Sequence, residues 1–339
     1  MSPFEQTGSA SNFDRPRLQV DGSVLARGAL ATAAWTAVAA SGTLLANKKV
    51  GFAEPLYVTE TNLGLAGWAA LLAIATTIGA FWPPLGARVA RAAPWLVVLA
   101  LFVGLWDLLT AKLGVLPVPF FAPPSSLVEV YADDWPRLGE SVLHSLRLLA
   151  LGFLFGTISG FVTGVAIGWS RGLGYWVHPV LRFLGPIPST ALLPMAFFFF
   201  PSSFSAAIFL IALATWFPVT VLTWSGVASV DKAYYDVART LGAGRAFLIF
   251  KVAIPAALPH VFVGLFMGLG ASFSVLVAAE MMGVKSGLGY YLQWAQGWAA
   301  YANMYGALIV MALIFSSLIT LLFAARDRLL GWQKDVVKW

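Results

Sequence analysis

Long apolar stretches, separated by short polar segments, run along most of the chain. A helix needs about 20 consecutive apolar residues to cross the hydrocarbon core of a bilayer. About eight windows meet that length, and they cover residues 24–46, 63–81, 94–113, 141–168, 177–200, 205–227, 261–282 and 304–325. The pattern predicts an all-α polytopic membrane protein with about eight transmembrane helices.

Two of these windows contain residues that interrupt a helix. Asp107 places a carboxylate in the third window, whereas Pro186, Pro188 and Pro194 fall in the fifth. Proline removes a backbone donor and breaks or kinks a helix. Inside a bilayer, such a break is tolerated only where neighbouring helices or a cavity satisfy the freed backbone groups. The fifth span is therefore predicted to be broken or kinked.

The polar segments divide the chain into parts. We predict a polar tail at 1–23, an N-terminal transmembrane pair at 24–90, a six-span unit at 91–330 and a short tail at 331–339. The stretch 117–140, between the third and fourth windows, is too long for a tight turn. Its Pro-Pro-Ser-Ser sequence, followed by apolar positions, predicts an amphipathic helix at the outer membrane surface.

The composition excludes several other classes of protein. The chain is 59% hydrophobic and 11% charged, whereas soluble domains carry about 25% charged residues. It has no cysteine, which excludes thiol chemistry, and its three histidines are too scattered to suggest a metal site. The net charge of +6 would suit a nucleic acid, but the basic residues lie at span ends and indicate membrane orientation instead.

The distribution of Lys and Arg sets the predicted orientation. If the N-terminus is cytoplasmic, most basic residues fall on the cytoplasmic side, as the positive-inside rule requires. Arg171, Arg245 and Arg326 are among them, whereas Lys112 is one of the few on the outer side. Both termini and the segment 231–259 are therefore predicted to face the cytoplasm.

The fourth window carries a glycine at every fourth position. The five residues are Gly152, Gly156, Gly160, Gly164 and Gly168. Small residues at this spacing let a neighbouring helix backbone approach closely. The pattern favours tight helix packing over a sliding surface in a transporter. Such packing can occur within one chain or between the two copies of a homodimer.

The cytoplasmic segment has an internal pattern of its own. Residues 236–240 are predicted to form a short helix that Gly242 ends, because glycine accepts the left-handed cap conformation at low cost. A second amphipathic helix is expected over 245–253, ended by Pro255 and Pro259. The spacing alone leaves two interpretations open: a solvated connecting loop, or a helical module that a soluble partner grips.

This segment resembles the EAA motif of permease subunits of ATP-binding-cassette (ABC) importers. That motif reads roughly Glu-Ala-Ala, three residues, Gly, and later Ile-x-Leu-Pro. Asp236 stands in place of the Glu. Val237 and Ala238 replace the two Ala, and Gly242 matches the Gly. An Ile-Pro and a Leu-Pro pair within 254–259 match the close of the motif, and the departures keep its charge and small apolar character.

The resemblance extends over about residues 117–332 and is similar to the nitrate, sulfonate, taurine and bicarbonate branch of type I importers. The stretches that carry it are 145–153, 186–188, 192–194, 276–281 and 287–290. The first two spans lie outside this pattern, and the resemblance assigns them no role.

The resemblance implies a set of partners and a division of labour. The permease would work as a homodimer in the bacterial inner membrane, with two cytoplasmic ATPase subunits and a periplasmic substrate-binding protein. It would import a small anion, such as a sulfonate, taurine, nitrate or bicarbonate, by alternating access. The chain has no Gly-x-x-x-x-Gly-Lys-Ser/Thr motif. Hydrolysis of ATP is therefore assigned to the partner, and the permease is expected to be no enzyme and to need no cofactor.

Two groups of candidate site residues follow. The ATPase-coupling group, by resemblance, is Asp236, Val237, Ala238, Leu241, Gly242 and Ala243; the substrate-pathway group is Arg147, Glu280, Pro188 and Ser189. Ionisable residues inside a bilayer are costly and mark candidate sites. Arg147 either attracts an anion or extends to the outer headgroups. Glu280 could pair with Arg147 or gate the pathway; alternatively, it makes a structural hydrogen bond to a neighbouring helix.

Two other functions stay open at this point. A secondary transporter or channel without an ATPase would be expected to show paired ionisable residues at mid-membrane and internal repeats. A membrane-embedded scaffold or lipid-handling enzyme is disfavoured, because the sequence lacks a recognisable catalytic cluster.

Overall fold

The computed structural model describes residues 22–48, 57–117 and 119–331, and every regular element in these ranges is helical. The predicted terminal tails lie almost wholly outside them. The helices are α1 Gly22–Leu44, α2 Val58–Phe81, α3 Pro83–Asp107, α4 Pro124–Asp133, α5 Trp135–Trp169, α6 Arg171–Leu184, α7 Leu193–Phe199, α8 Ser203–Ala228, α9 Lys232–Thr240, α10 Arg245–Phe247, α11 Ile254–Met282, α12 Leu288–Gly297 and α13 Tyr301–Leu329. The predicted all-α class is confirmed.

Six helical segments of the described chain are long and apolar enough to cross a membrane. They are Val58–Phe81, Pro83–Lys112, Trp135–Trp169, Ser203–Ala228, Arg245–Met282 and Tyr301–Leu329. The fifth predicted window forms a bent pair, Arg171–Leu184 and Ser189–Phe199, which meet at 85° and would make a seventh span. The first window is helical over α1, but this helix is rich in small and hydroxylated residues and is not among the six.

The helices fall into two compact units, Met1–Glu129 and Val130–Trp339. In the first unit, α1, α2 and α3 pack around Trp35, Leu72 and Ala100. The predicted boundary between residues 90 and 91 lies inside α3, which begins at Pro83 after an extended Trp82. Beyond Asp107, α3 continues as a π-helical turn to Lys112. The interpretation of 24–90 as an addition to a six-helix core stays a prediction.

In the second unit, the glycine ladder packs α5 against α8. A Cβ at Gly156 would lie 2.5 Å from the carbonyl oxygen of Ala212, and a Cβ at Gly164 would lie 2.7 Å from that of Thr220. Side chains on α5 would therefore push the two backbones apart. The ladder serves close packing within one chain, and α8 already covers the face that a homodimer seam would need.

The order of these contacts gives the direction of the helices. At one end of the ladder, Ile211 faces Gly152. At the other end, Val227 faces Gly168. The partners advance in step, so α5 and α8 run in the same direction. The chain between them must return to its starting level, and the bent pair of α6 and Ser189–Phe199 provides that return. The predicted break in the fifth span is confirmed.

The remaining long helices alternate in direction. Gly226 near the end of α8 meets Ala257, whereas Thr215 in the middle of α8 meets Gly268, so α11 runs opposite to α8. Ring contacts of Phe266 with Phe323 and of Phe273 with Phe315 place α13 antiparallel to α11. The ends of α5, α8 and α13 and the start of α10 therefore lie at one end of the unit, which we call the α9 end. Basic residues gather there: Arg171, Arg239, Arg245, Lys251, Arg326 and Arg328.

Candidate functional site

The α9 end is built around a short helix that is capped at its start. The carboxylate of Asp231 accepts a hydrogen bond of 2.9 Å from the backbone N–H of Ala233, which satisfies one of the free donors of the first turn. On one side, the Tyr235 ring packs edge-on against Trp169 at the end of α5, with centroids 5.9 Å apart. This burial raises the pKa of the Tyr235 hydroxyl above its ordinary value. The contact fixes α9 against the end of α5.

The end of α9 is a Schellman turn. Gly242 has a φ of +82°, a conformation that glycine adopts without the penalty a Cβ brings. Its N–H donates to the carbonyl of Arg239 at 2.9 Å, and the N–H of Ala243 donates to that of Ala238 at 3.0 Å. These two bonds are the 5→2 and 6→1 pair that defines the motif. The predicted short helix and its glycine stop are confirmed.

The second predicted helix does not stop at the prolines. After α10, a π-helical turn over Leu248–Ala253 leads directly into α11, and Arg245–Met282 forms one continuous segment. The expectation that Pro255 and Pro259 end this helix is therefore wrong. Pro255 directly follows the π-helical turn, as the second residue of α11, where the hydrogen-bond pattern already departs from the regular α-helical ladder that a proline would interrupt. The segment after the Gly242 turn is thus a direct extension of a span.

One face of α9 is apolar and uncovered. Tyr234, Val237 and Leu241 are 65%, 61% and 83% exposed, and their spacing places them on the same side of the helix. Asp236 lies beside them and forms an exposed ion pair with Arg239, N to O 3.3 Å. Such an exposed pair contributes little stability, so both charges are free to contact another surface. The coupling residues predicted from the sequence therefore lie together on an accessible face.

A cavity of about 450 Å³ lies where the α6–α7 pair is broken. Ser189 and Thr190, on a 3₁₀ turn between the two helices, contribute hydroxyls to its wall. Pro188 precedes that turn as its N-cap, in an extended conformation. The other walls come from the middle of α8 and the middle of α11, for example Phe217 and Met267. The structure thus places Ser189 on a cavity at mid-depth in the unit, with Pro188 next to it.

Glu280 and Arg147 do not pair. The Glu280 side chain is buried near the end of α11, and its Oε1 accepts a 2.7 Å hydrogen bond from the Ser145 hydroxyl. Its Oε2 accepts another, 2.8 Å long, from the N–H of Gly289. The Ser145 oxygen in turn accepts from the N–H of Leu288 at 2.8 Å. Of the alternatives for Glu280, this geometry favours the structural hydrogen bond, because the carboxylate joins α5, α11 and α12.

Arg147 is exposed on α5, five residues before the glycine ladder begins at Gly152. Its guanidinium carbon lies 5.5 Å from the centre of the Phe204 ring, within the range of a cation–π contact. Neither Arg147 nor Glu280 lines the cavity at the break. The four predicted pathway residues therefore separate into two places, and only the pair at 188–189 meets the cavity.

The structure also reveals a polar cluster that the sequence did not indicate. The Tyr291 hydroxyl donates to Asp134 at 2.6 Å, and the Asn303 amide lies 3.2 Å from the same carboxylate oxygen. Burial and this carboxylate raise the pKa of Tyr291 above its ordinary value. Beside it, the Arg137 guanidinium lies 3.9 Å above the Trp294 ring. Sequence spacing gives no signal for this cluster, because Asp134 and Asn303 are 169 positions apart.

Comparison with known proteins agrees with this arrangement. Residues 152–331 match the family described as binding-protein-dependent transport system inner membrane component. The nitrate import permease protein NrtB of Synechococcus elongatus is 30% identical over 256 residues, covering 72% of this chain and 89% of the relative. A Bacillus subtilis protein named as an aliphatic sulfonates transport permease, SsuC, is 30% identical over 239 residues, covering 70% and 86%. The bicarbonate transport system permease protein CmpB of Synechococcus elongatus is 34% identical over 192 residues, covering 56% and 66%. The chain therefore belongs to the family of inner-membrane permease components of binding-protein-dependent ABC transport systems.

Proposed function

We propose that this chain imports a small anion across the bacterial inner membrane as one half of a homodimeric permease. Two ATPase subunits bind at the α9 end in the cytoplasm, and a periplasmic binding protein delivers the anion at the opposite end. The relatives named for nitrate, sulfonate and bicarbonate transport support the substrate class. The alternative function, a secondary transporter or a channel without an ATPase, does not explain why the chain matches a family of binding-protein-dependent transport components.

The observation that carries the proposal is the uncovered apolar face of α9. Exposed apolar side chains that are grouped on one side of a short helix mark an interaction surface. Val237 and Leu241 form its centre, and the Asp236–Arg239 pair forms its polar edge. The Schellman turn holds α9 rigidly beside α10, which continues into the span of α11. A displacement of α9 by an ATPase would therefore be passed directly to a helix that lines the cavity.

The gathering of basic residues at the α9 end supports the cytoplasmic placement of this end and of the C-terminal side of α13. Lys and Arg are retained on the cytoplasmic side of bacterial membrane proteins. The opposite end is mixed in charge, with Asp133, Asp134 and Glu140 near Arg137 and Lys285. Labelling of single cysteines from each side of sealed vesicles tests this orientation, and the natural absence of cysteine leaves no background.

A site-specific photo-cross-linker at Leu241, in whole membranes, tests the coupling face. We expect a cross-linked product whose partner contains a P-loop ATPase sequence, at a yield that changes when ATP is added. A cross-linker at Phe199, 72% exposed on α7 away from the α9 end, is the matched control and should not give that product. If the ATPase is absent from the Leu241 product, although the complex co-purifies, α9 is not the docking face.

A further inference from the structure

The cavity at the break is large for a bare inorganic anion. Its volume of about 450 Å³ falls in the range of about 300–1,000 Å³ that accommodates drug-sized ligands. Nitrate and bicarbonate consist of only a handful of heavy atoms and would leave most of this space empty. The size of the cavity therefore fits a substrate with a body beyond its charged group.

The chemistry of the walls points the same way. Leu213, Phe217, Met267 and Val275 line the cavity from α8 and α11, and none of its lining residues in the described chain is charged. An oxyanion that leaves water for such a site loses its hydration without a cation to replace it, and that desolvation is costly. A hydrocarbon body, in contrast, gains by leaving water for an apolar wall.

The polar groups of the cavity are concentrated on one side. The hydroxyl-bearing residues Ser189 and Thr190 lie on the 3₁₀ turn at the break and line the cavity. Hydroxyl groups can donate hydrogen bonds to an anionic head group. They attract the anion less strongly than Arg or Lys would, and a strong attraction would slow release of the substrate. One polar side opposite apolar walls matches a molecule with one charged end.

We propose that the transported substrate is an organic anion with an apolar body, of the alkyl or aryl sulfonate type, rather than an inorganic oxyanion. Its charged group meets Ser189 and Thr190, and its hydrocarbon part lies against Phe217 and Met267. The inference rests on the proposed permease function and narrows the substrate class of the same pathway.

Equilibrium binding of butane-, hexane- and octanesulfonate to the purified permease–ATPase complex tests this assignment without the binding protein. Affinity is expected to rise about fourfold per added methylene, while nitrate and bicarbonate bind weakly. Primary alcohols of the same lengths are the matched probes and should bind at least tenfold more weakly. Equal binding of alcohols and sulfonates would mean that the cavity only takes up apolar chains, and this result overturns the proposal, as does an affinity independent of chain length.

Two variants locate the binding. Thr190→Val combined with Ser189→Ala removes both hydroxyls and should weaken sulfonate binding severalfold, while the weak binding of alcohols is unchanged. Ala271→Phe adds a ring to the cavity wall and should reduce binding of octanesulfonate more than that of butanesulfonate. If both variants bind the whole series as the parent protein does, the sulfonates occupy another place and the assignment of this cavity is wrong.

ATP-dependent uptake in proteoliposomes, with the binding protein present, distinguishes the proposed substrate class from the proposed importer function. Uptake of labelled hexanesulfonate supports both. Uptake of labelled nitrate or bicarbonate, without uptake of a sulfonate, overturns the substrate assignment but leaves the importer function in place. If none of the probes enters in an ATP-dependent way from an assembled complex, the proposed importer function itself is contradicted.

Discussion

At the scale of single residues, Gly242 shows how one backbone angle can end the short helix α9, for which we propose a coupling role. Its φ is +82°, and a Cβ there would meet no atom within 4 Å. A substitution is therefore strained by backbone conformation alone and not by a clash. Gly242→Val should lower anion uptake and co-purification of the ATPase, because a β-branched residue at positive φ costs about 1–3 kcal/mol.

Gly242→Asn is the matched control, since asparagine tolerates the left-handed region better than other residues with a side chain. It should retain most of the uptake, and both variants should insert at parental levels. If Asn and Val are equally inactive, the Schellman turn is not what the glycine provides. If Val transports normally, the geometry of α9 is not coupled to transport.

Glu280 is a residue whose environment assigns it a positioning role. Glu280→Ala leaves the N–H of Gly289 and the Ser145 hydroxyl without an acceptor, and each unsatisfied buried group costs about 1–3 kcal/mol. The melting temperature of the purified complex is expected to fall clearly. Glu280→Gln keeps the shape and one acceptor oxygen, so its melting temperature should lie between those of Glu280→Ala and the parent. Parental stability in Glu280→Ala would show that the network is not structural.

At the scale of elements, the contact between α5 and α8 is where glycine acts through packing. Gly156→Ala would place a methyl group against the backbone of Ala212, which can move only if the whole helix moves. We expect a loss of about 1–3 kcal/mol, the usual cost of overpacking, measured as a lower melting temperature. Gly139→Ala on the same helix meets nothing within 4 Å and should be neutral or slightly stabilising. Equal effects of the two would contradict the packing role of the ladder.

At the scale of the whole molecule, the first unit shows how α1 is joined to α3. The Lys112 ammonium, at the end of α3, donates to the carbonyls of Gly42 and Leu45 at 3.0 and 2.7 Å. A cation at a helix C-terminus satisfies free carbonyls and complements the helix dipole. α1 is thereby fixed to the end of α3.

Removal of residues 1–82, which deletes α1 and α2 but keeps α3 whole, is expected to leave assembly with the ATPase intact. The deletion should lower the thermal stability of the complex, since Lys112 loses both of its acceptors. Lys112→Met in the full chain is the companion variant and should show a smaller decrease. Loss of complex formation in a correctly inserted deletion protein would make the N-terminal helices part of the transporter core.

The sequence determined the features that depend on neighbouring residues. Hydrophobic windows of spanning length predicted the helices, the prolines predicted the broken fifth span, and the glycine at 242 predicted the turn after α9. These follow from local chemistry, because helix formation, capping and proline breaks are decided within a few positions. The proposed coupling residues could be predicted from the sequence for the same reason, since the motif that they resemble is contiguous.

Only the tertiary structure decided what depends on distant residues. It showed that Glu280 meets Ser145 and Gly289 instead of Arg147, and that the ladder packs on α8 of the same chain. It also showed that Pro255 lies inside a helical segment that runs on from α10, because a π-helical turn already changes the hydrogen-bond pattern ahead of it. Contacts between residues on different helices are set by how the helices pack, and the spacing of side chains along one segment does not predict them.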